Sequence, residues 1–266
     1  MRVFSLGPEG TFSHELGWRL FGDAVTLVPT IRRIFEAVER GEGNGLIPLE
    51  NSEAGGVGAS LDGLLSHDVW ITGEATMPIH HYLVSLVPLE EADVLYVHPQ
   101  THEQCSDLID SLEVPVVHTS SNAQSARELL KSGKGAAIVS LLTARLCHLP
   151  VRRSCVENNP QNVTRFVTIS CHPYSGPDAV KGSIIIDPRE DRAGLLHDIL
   201  GVFSRRKINL TRIESRPSKR GMGSYVFFLD YEYSGEDTRS VLGELGKMTS
   251  FRDLGIYPVL EVPEWK

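Results

Sequence analysis

The chain has 266 residues, 41% of them hydrophobic and 23% charged, which is enough for one or two domains with a sizeable core. Lys and Arg number 26 against 34 Asp and Glu, a formal net charge of −8, so no basic face for nucleic acid or an anionic membrane is expected. No apolar run approaches the ~20 residues that span a bilayer. The N-terminal stretch MRVFSLGPEGTFSHE turns polar too early for a signal peptide. The four cysteines (Cys105, Cys147, Cys155 and Cys171) show no CxxC spacing and read as reduced thiols of a cytoplasmic protein.

Over residues 1–171, short β-branched runs alternate with amphipathic segments. Strands are predicted at 2–6, 25–28, 45–49, 82–87, 94–97, 114–118, 136–139 and 163–170. Helices are predicted at 31–40, where Ile31, Ile34, Phe35 and Val38 share a face, and at 60–66, 103–112, 123–131 and 141–147. This alternation implies a parallel-rich α/β architecture in two small lobes with a cleft between them. The segment His172-Pro173-Tyr174-Ser175-Gly176-Pro177-Asp178 then reads as a linker. After it come a strand at 183–187 and a helix from about Ala193, in which Leu195, Ile199 and Phe203 recur at i, i+4 and i+8 beside Leu196 and Leu200. A strand at 208–215, a Gly-Met-Gly turn, a strand at 224–232, a helix carrying Val241, Leu245 and Met248, and a strand at 255–262 complete the order βαββαβ. That is a ferredoxin-like module with its own core. The domains expected are 1–172, a linker at 173–181, and 182–262.

Three segments carry the chemistry. Gly7-Pro8-Glu9-Gly10-Thr11-Phe12-Ser13 lies between a strand and a helix, where glycines let the backbone turn and Thr11 and Ser13 put hydroxyls at an anion-attracting helix start. Pro48-Leu49-Glu50-Asn51-Ser52-Glu53-Ala54-Gly55-Gly56-Val57 follows a strand and sets Asn51 and Ser52 at the carboxyl edge, where open α/β sheets bind ligands. Asn158-Asn159-Pro160-Gln161-Asn162-Val163-Thr164-Arg165-Phe166 enters the last strand before the linker. There Thr164 and Phe166 share one face, and Arg165 must reach the cleft from the loop edge.

Other clusters read more plainly. His98, His102 and Cys105 fall at H-x3-H-x2-C, a zinc-compatible spacing, but Pro99 disfavours helical geometry at His98 and no fourth ligand is obvious. No metal site is assigned. His80 and His81 point to opposite faces of a strand-like run and cannot chelate as neighbours. Arg152-Arg153, Arg205-Arg206-Lys207 and Lys219-Arg220 read as solvated helix ends and turns.

Taken together, GPEGTFS, PLENSEAGGV, His98-Pro99-Gln100 with Gln104-Cys105, and ENNPQNVTRF resemble a prephenate dehydratase, and Glu214-Ser215-Arg216-Pro217 resembles the ESRP of the ACT regulatory domain that follows it. The resemblance covers residues 2–262. It implies a two-lobed catalytic domain like the periplasmic amino-acid-binding proteins, joined to a ferredoxin-like ACT domain. The implied reaction is decarboxylation of prephenate with loss of its ring hydroxyl, giving phenylpyruvate without metal, nucleotide or redox cofactor.

Within that reaction Thr164 is the residue implied to assist the leaving oxygen. Arg165 is expected as a bidentate clamp on a substrate carboxylate. Thr11, Ser13, Asn51, Ser52, Gly55, Gln100, Asn122 and Phe166 are expected to contact substrate. L-phenylalanine is expected as the effector, held by Gly194, Leu195, Leu196, Asn209, Leu210, Glu214 and Ser215, in a homodimer or homotetramer. Five residues in three segments depart from the family pattern. Thr101, His102 and Glu103 follow Gln100 where small or apolar residues are usual, Asn122 stands for a threonine, and Leu195 stands where alanine is usual and adds bulk near the effector pocket. Arogenate dehydratase and a non-catalytic amino-acid sensor are the alternatives. With the dehydratase strand at residues 2–6 no fused chorismate mutase domain is expected, and without a GxGxxG turn after that strand no fused dehydrogenase is expected either.

Overall fold

The computed structural model describes residues 1–189, 192–218, 220 and 224–264. Lys219 and the Gly-Met-Gly turn at 221–223 lie outside the described residues. The first lobe contains β1 (Val3–Leu6), α1 (Phe12–Phe21), β2 (Val25–Val28), α2 (Ile31–Glu39), β3 (Asn44–Asn51), β4 (Gly55–Gly56), α3 (Gly58–Ser66) and β5 (Trp70–Pro78). The second contains β6 (Tyr82–Ser85), β7 (Leu95–Val97), α4 (Pro99–Gln104), α5 (Ser106–Leu112), β8 (Val116–His118), α6 (Asn122–Ser132), β9 (Ala136–Val139), α7 (Leu141–Leu146) and β10 (Val151–Ser154). The chain then returns to the first lobe as β11 (Val163–Ser170).

The first sheet runs β2-β1-β3-β11-β5, with β4 added to β3, and the second runs β10-β6-β9-β7-β8. Both are mixed rather than mainly parallel. β11 arrives from the other lobe and pairs antiparallel with β3 and β5. The two crossings between lobes lie side by side: the Ile79 N–H donates to the Asn162 carbonyl at 2.9 Å and the Val156 N–H to the His81 carbonyl at 3.0 Å. This double strand is the hinge. The lobes also touch directly, as the Ser140 and Thr143 hydroxyls donate to the Gly10 carbonyl at 2.6 and 2.8 Å. Gly10 has φ +87°, and a Cβ there would fall 2.2 Å from Thr143 Oγ1, so only glycine permits this approach.

The C-terminal module is β12 (Lys181–Ile186), α8 (Leu195–Arg205), β13 (Leu210–Pro217), β14 (Tyr225–Glu232), α9 (Gly235–Met248) and β15 (Phe251–Tyr257), with strand order β13-β14-β12-β15 and every pair antiparallel. Strand alternation gives its sheet two apolar faces. Ile184, Ile186, Leu229 and Tyr231 meet Ile199, Phe203, Val241 and Leu245 from the helices. The opposite face, with Ile185, Val226, Phe228 and Tyr257, joins the first-lobe core of Phe4, Ile34, Phe35 and Ile47. The expected module with its own core is therefore also half of an interdomain core.

Several expected elements are corrected. The single helix at 103–112 is two helices that meet at Cys105 (φ −125°, ψ 23°). The last strand, expected at 255–262, is Phe251–Tyr257, because Pro258 cannot continue the ladder. β5 and β10 escape the sequence pattern. β5 buries Glu74 among its apolar positions, and β10 carries Arg152 and Arg153 and is exposed throughout.

Candidate active site

A cavity of about 540 Å³ lies between the lobes, floored by the hinge residues Ile79 and His81. The first lobe contributes Thr11, Phe12, Ser13, Pro48, Asn51, Val57, Thr164 and Phe166; the second contributes His98, Gln100, Thr101, Gln104, Ser120, Ser121 and Asn122. Four of the described helices begin at this wall, among them α4, with His98 at its N-cap. Thr11 caps α1 by accepting from the His14 N–H, Ser121 caps α6 by accepting from the Gln124 N–H, and Val57 is the first-turn boundary of α3. Helix N-termini present unpaired N–H groups and positive partial charge, so the cleft attracts anions from both sides. None of the lining residues is Asp, Glu, Lys or Arg.

The two motif strands meet at the cavity. β11 sets Thr164 opposite Asn51 on β3. Asn51 Nδ2 donates to Thr164 Oγ1 at 3.0 Å and to Asn162 Oδ1 at 2.7 Å, while Asn51 Oδ1 accepts from the Glu53 and Ala54 N–H groups at 3.1 and 3.0 Å. With the Val163 carbonyl, which accepts from Nδ2 at 3.2 Å, five partners fix the amide orientation. Because Thr164 Oγ1 accepts from Asn51, its own proton is left to point at a ligand. Phe166, two residues on and fully buried, lies on the same face and gives the cavity an aromatic wall.

Arg165 requires a correction. Its side chain projects from the opposite face of β11, where Nη1 contacts Glu74 Oε2 at 2.7 Å and Nη2 contacts Asp230 Oδ2 at 2.5 Å. Nε lies 3.3 Å from Glu50 Oε2. Burial disfavours the charge, but Asp230 and Glu74 overcome it and push the guanidinium above its ordinary value. Strand alternation rather than loop reach decides the direction, so Arg165 is not the carboxylate clamp expected from the sequence.

The remaining expected contacts divide. Thr11, Ser13, Asn51, Gln100, Asn122, Thr164 and Phe166 all line the cavity. The Thr11 hydroxyl is committed to its cap and to the Leu6 carbonyl at 3.0 Å. Asn122, the departure from the family threonine, accepts from the Thr101 hydroxyl at 2.9 Å, so two unusual residues satisfy each other. Ser52 is exposed, accepts from the Val163 N–H at 3.0 Å and does not line the cavity. Gly55, also outside it, opens β4 opposite Asn51 with φ +76°. Ser52 ties the loop after β3 to the start of β11.

Sequence reasoning missed His81, Gln104, Val57 and Ser121. His81 Nε2 lies 3.0 Å from Gln104 Oε1 and, facing an amide oxygen, carries the proton. Burial lowers its pKa, so the ring is neutral near pH 7. His98 is lowered too, by burial and then by nearby His118. The available signal was Gln104, which stands in the motif that also contains His98. Among the described residues, His80, Cys155 and Glu157 form a group with ligating atoms within 4.8 Å of one another. Both Glu157 oxygens are already engaged, with His80 Nδ1 at 2.7 Å and the His81 N–H at 2.8 Å, and serve the hinge. Cys105 is buried in the second-lobe core, where desolvation and then Glu157 push its thiol up to about 12.

In the C-terminal module the expected effector residues are not gathered by one chain. Gly194 and Leu196 stand at the start of α8, while Asn209 and Leu210 follow its far end. An 11-residue helix separates the two groups by about 16 Å. Leu195, expected among the effector contacts, is only 5% exposed and packs in the module core. Glu214 also faces away from the others. It pairs with Arg212 against the first lobe, where a Cβ on Gly56 would meet its carboxylate, whereas Ser215 is exposed on the other face of β13.

Fold and cleft together define a hinged two-lobed protein whose cleft, walled by helix starts and Phe166, suits a small anionic molecule, with a βαββαβ module packed on the back of its binding strands. The prephenate dehydratase model matches residues 3–174 and the ACT domain model residues 184–247. The chain is 37% identical over 270 residues to the bifunctional chorismate mutase/prephenate dehydratase of Pseudomonas aeruginosa, covering 97% of this chain and 73% of that one. It is 33% identical to the prephenate dehydratase of Methanocaldococcus jannaschii, covering 96% and 97%. The crystal structure of prephenate dehydratase from Arthrobacter aurescens in complex with L-Phe superposes with a TM-score of 0.86 at 32% identity, covering 97% of this chain and 89% of that one. The chain belongs to the prephenate dehydratase family, with a C-terminal ACT domain.

Proposed function

We propose that this enzyme converts prephenate to phenylpyruvate, with Thr164 as the proton donor. The observation that carries the reading is the Asn51–Thr164 hydrogen bond at the cavity wall, which leaves the hydroxyl proton free for the substrate. Prephenate carries two carboxylates, and the N-termini of α1, α3 and α6 supply donors for them in place of Arg165. As the ring carboxylate leaves as CO2, its bonding electrons enter the ring and the opposite C–O bond breaks. Thr164 protonates the departing hydroxide, giving water, and is reprotonated from solvent. Aromatisation drives the step, so the site needs alignment and one strong hydrogen bond in a dehydrated cavity. Phe166 supports the ring, and neutral His81 and His98 add donors and acceptors without introducing a cation.

Phenylalanine acts as effector at the ACT domain of a homodimer. The separation of Gly194 and Leu196 from Asn209 and Leu210 supports that assembly, because an isologous pair can bring one copy's helix start to the other copy's strand start. No helix among the described residues is long and apolar enough to cross a membrane, and a cytoplasmic location suits the free thiols. Purified protein is incubated with prephenate and, separately, arogenate. Phenylpyruvate from prephenate is expected. Turnover of arogenate alone would reassign the substrate, and turnover of neither would leave an amino-acid sensor.

A further inference from the structure

The back of the catalytic strands is held by the ACT domain through charge. Arg165 and Glu50 are cross-strand partners, one residue along from Thr164 and Asn51 on the same two strands. Alternation therefore sends the site pair into the cavity and the charged pair to the ACT side. The β3–β11 register shifts between Arg165 and Phe166, so the ladder is irregular where the backbone must carry both Thr164 and Phe166. The Arg165 fork spans the gap, reaching Glu74 on β5 and Asp230 on β14. Asp230 is itself clamped, its second oxygen accepting from the Ser183 hydroxyl at 2.6 Å, and that hydroxyl lies 2.6 Å from the Tyr257 hydroxyl. Lys181 Nζ, 2.5 Å from Glu74 Oε1, balances the remaining charge from the ACT side. Both carboxylate side chains are 4% exposed and the guanidinium 11%, so solvent screens these contacts little.

We infer that Asp230 of the ACT domain is a positioning residue for the dehydratase step, holding Arg165 and through it the β11 backbone that presents Thr164. The inference rests on Thr164 as the proton donor. It separates two properties that a cleft residue would change together. The donors for the substrate carboxylates are helix starts in both lobes, whereas the donor hydroxyl sits on the strand that Asp230 steadies, with Phe166 beside it. Loss of Asp230 therefore moves the donor while the groups that hold the carboxylates stay in place.

Asp230→Asn, close in size, is expected to lower kcat for prephenate by between about tenfold and a hundredfold, the cost of a small misplacement of a reacting group. KM should stay within about twofold of wild type. Arg165→Lys should show the same split, and the double variant should lose no more than the worse single variant, because the two act through one contact. Ser183→Ala leaves both charges in place, frees Asp230 from its hydroxyl partner, and should lower kcat by a smaller factor. Wild-type kcat in Asp230→Asn, a KM rise in place of the kcat loss, or single losses that multiply in the double variant would each overturn the inference. Should Asp230→Asn fail to fold by circular dichroism, Ser183→Ala decides, and an unchanged kcat there overturns it equally. A wild-type protein inactive on prephenate removes the functional reading and this inference together. An active wild type with unaffected variants removes the inference alone.

Discussion

A threonine hydroxyl is a weak acid in water, so what Thr164 can do depends on its partner Asn51. Asn51 Nδ2 donates to Oγ1 at 3.0 Å, which polarises the hydroxyl and commits one of its two lone pairs while leaving its proton free. Thr164→Ala should lower kcat by ~10²-fold or more with little change in KM, because the hydroxyl matters chiefly in the transition state. Steady-state kinetics on prephenate check this, and near-normal kcat would remove Thr164 from the chemistry. Asn51→Asp is a sharper test. A carboxylate only accepts, so the Thr164 proton would turn toward it, and kcat should fall about as far as in Thr164→Ala. His81 makes a stability prediction. Burial lowers its pKa, partly offset by Gln104 and Glu157, so the folded state disfavours the charged ring that the unfolded chain accepts. Its contribution is complete above the unfolded pKa of about 6.5 and is lost as pH falls from there toward the lower folded value. Urea midpoints between about pH 7 and pH 5 should therefore fall more steeply in wild type than in His81→Gln.

At the scale of elements, legibility followed solvent contrast. α2 was readable because Ile31, Ile34, Phe35 and Val38 are buried while Arg32 and Arg33 face water. β5 was not, since Glu74 interrupts its apolar pattern and is tolerated only through Arg165 and Lys181, both distant in sequence. The start of α1 and the loop after β3 were legible through their cap and turn residues, although the roles of Ser52 and Gly55 were not. Packing between elements offers another test. Gly63 of α3 lies against α2, and a Cβ there would fall 2.1 Å from Phe35 Cε2. Both sites are fully buried, so Gly63→Ala must push the two helices apart or force Phe35 off its rotamer. A loss of roughly 1–3 kcal/mol is expected, read as a lower urea midpoint, with turnover per folded molecule retained. An unchanged midpoint would show that the interface has slack.

For the whole molecule, regulation must pass from the ACT domain to a cleft in another domain. Inhibition by phenylalanine requires that it bind one global arrangement better than another, and linkage then obliges prephenate to weaken phenylalanine binding by the same factor. Calorimetric titration of phenylalanine with and without a non-reacting substrate analogue measures that factor, and equal affinities would dissociate the two sites. The same titration in the light-scattering cell should show a particle of at least two chains. A single 266-residue chain that still binds phenylalanine tightly would contradict an effector site shared between copies.

The motifs, their order and their periodicity determined the family, the two-lobed plan, the βαββαβ module and seven of the residues that line the cavity, because capping, turn chemistry and amphipathic spacing are local properties of the chain. Only the tertiary structure decided where Arg165 points and what surrounds it. It sits between Thr164 and Phe166, and strand alternation turns it away from the cleft toward Glu74, 91 residues earlier, and Asp230, 65 residues later. A guanidinium is equally suited to a substrate carboxylate and to two buried side-chain carboxylates. The choice depends on which partners the folded chain brings within reach, and no local pattern around residues 164–166 encodes them.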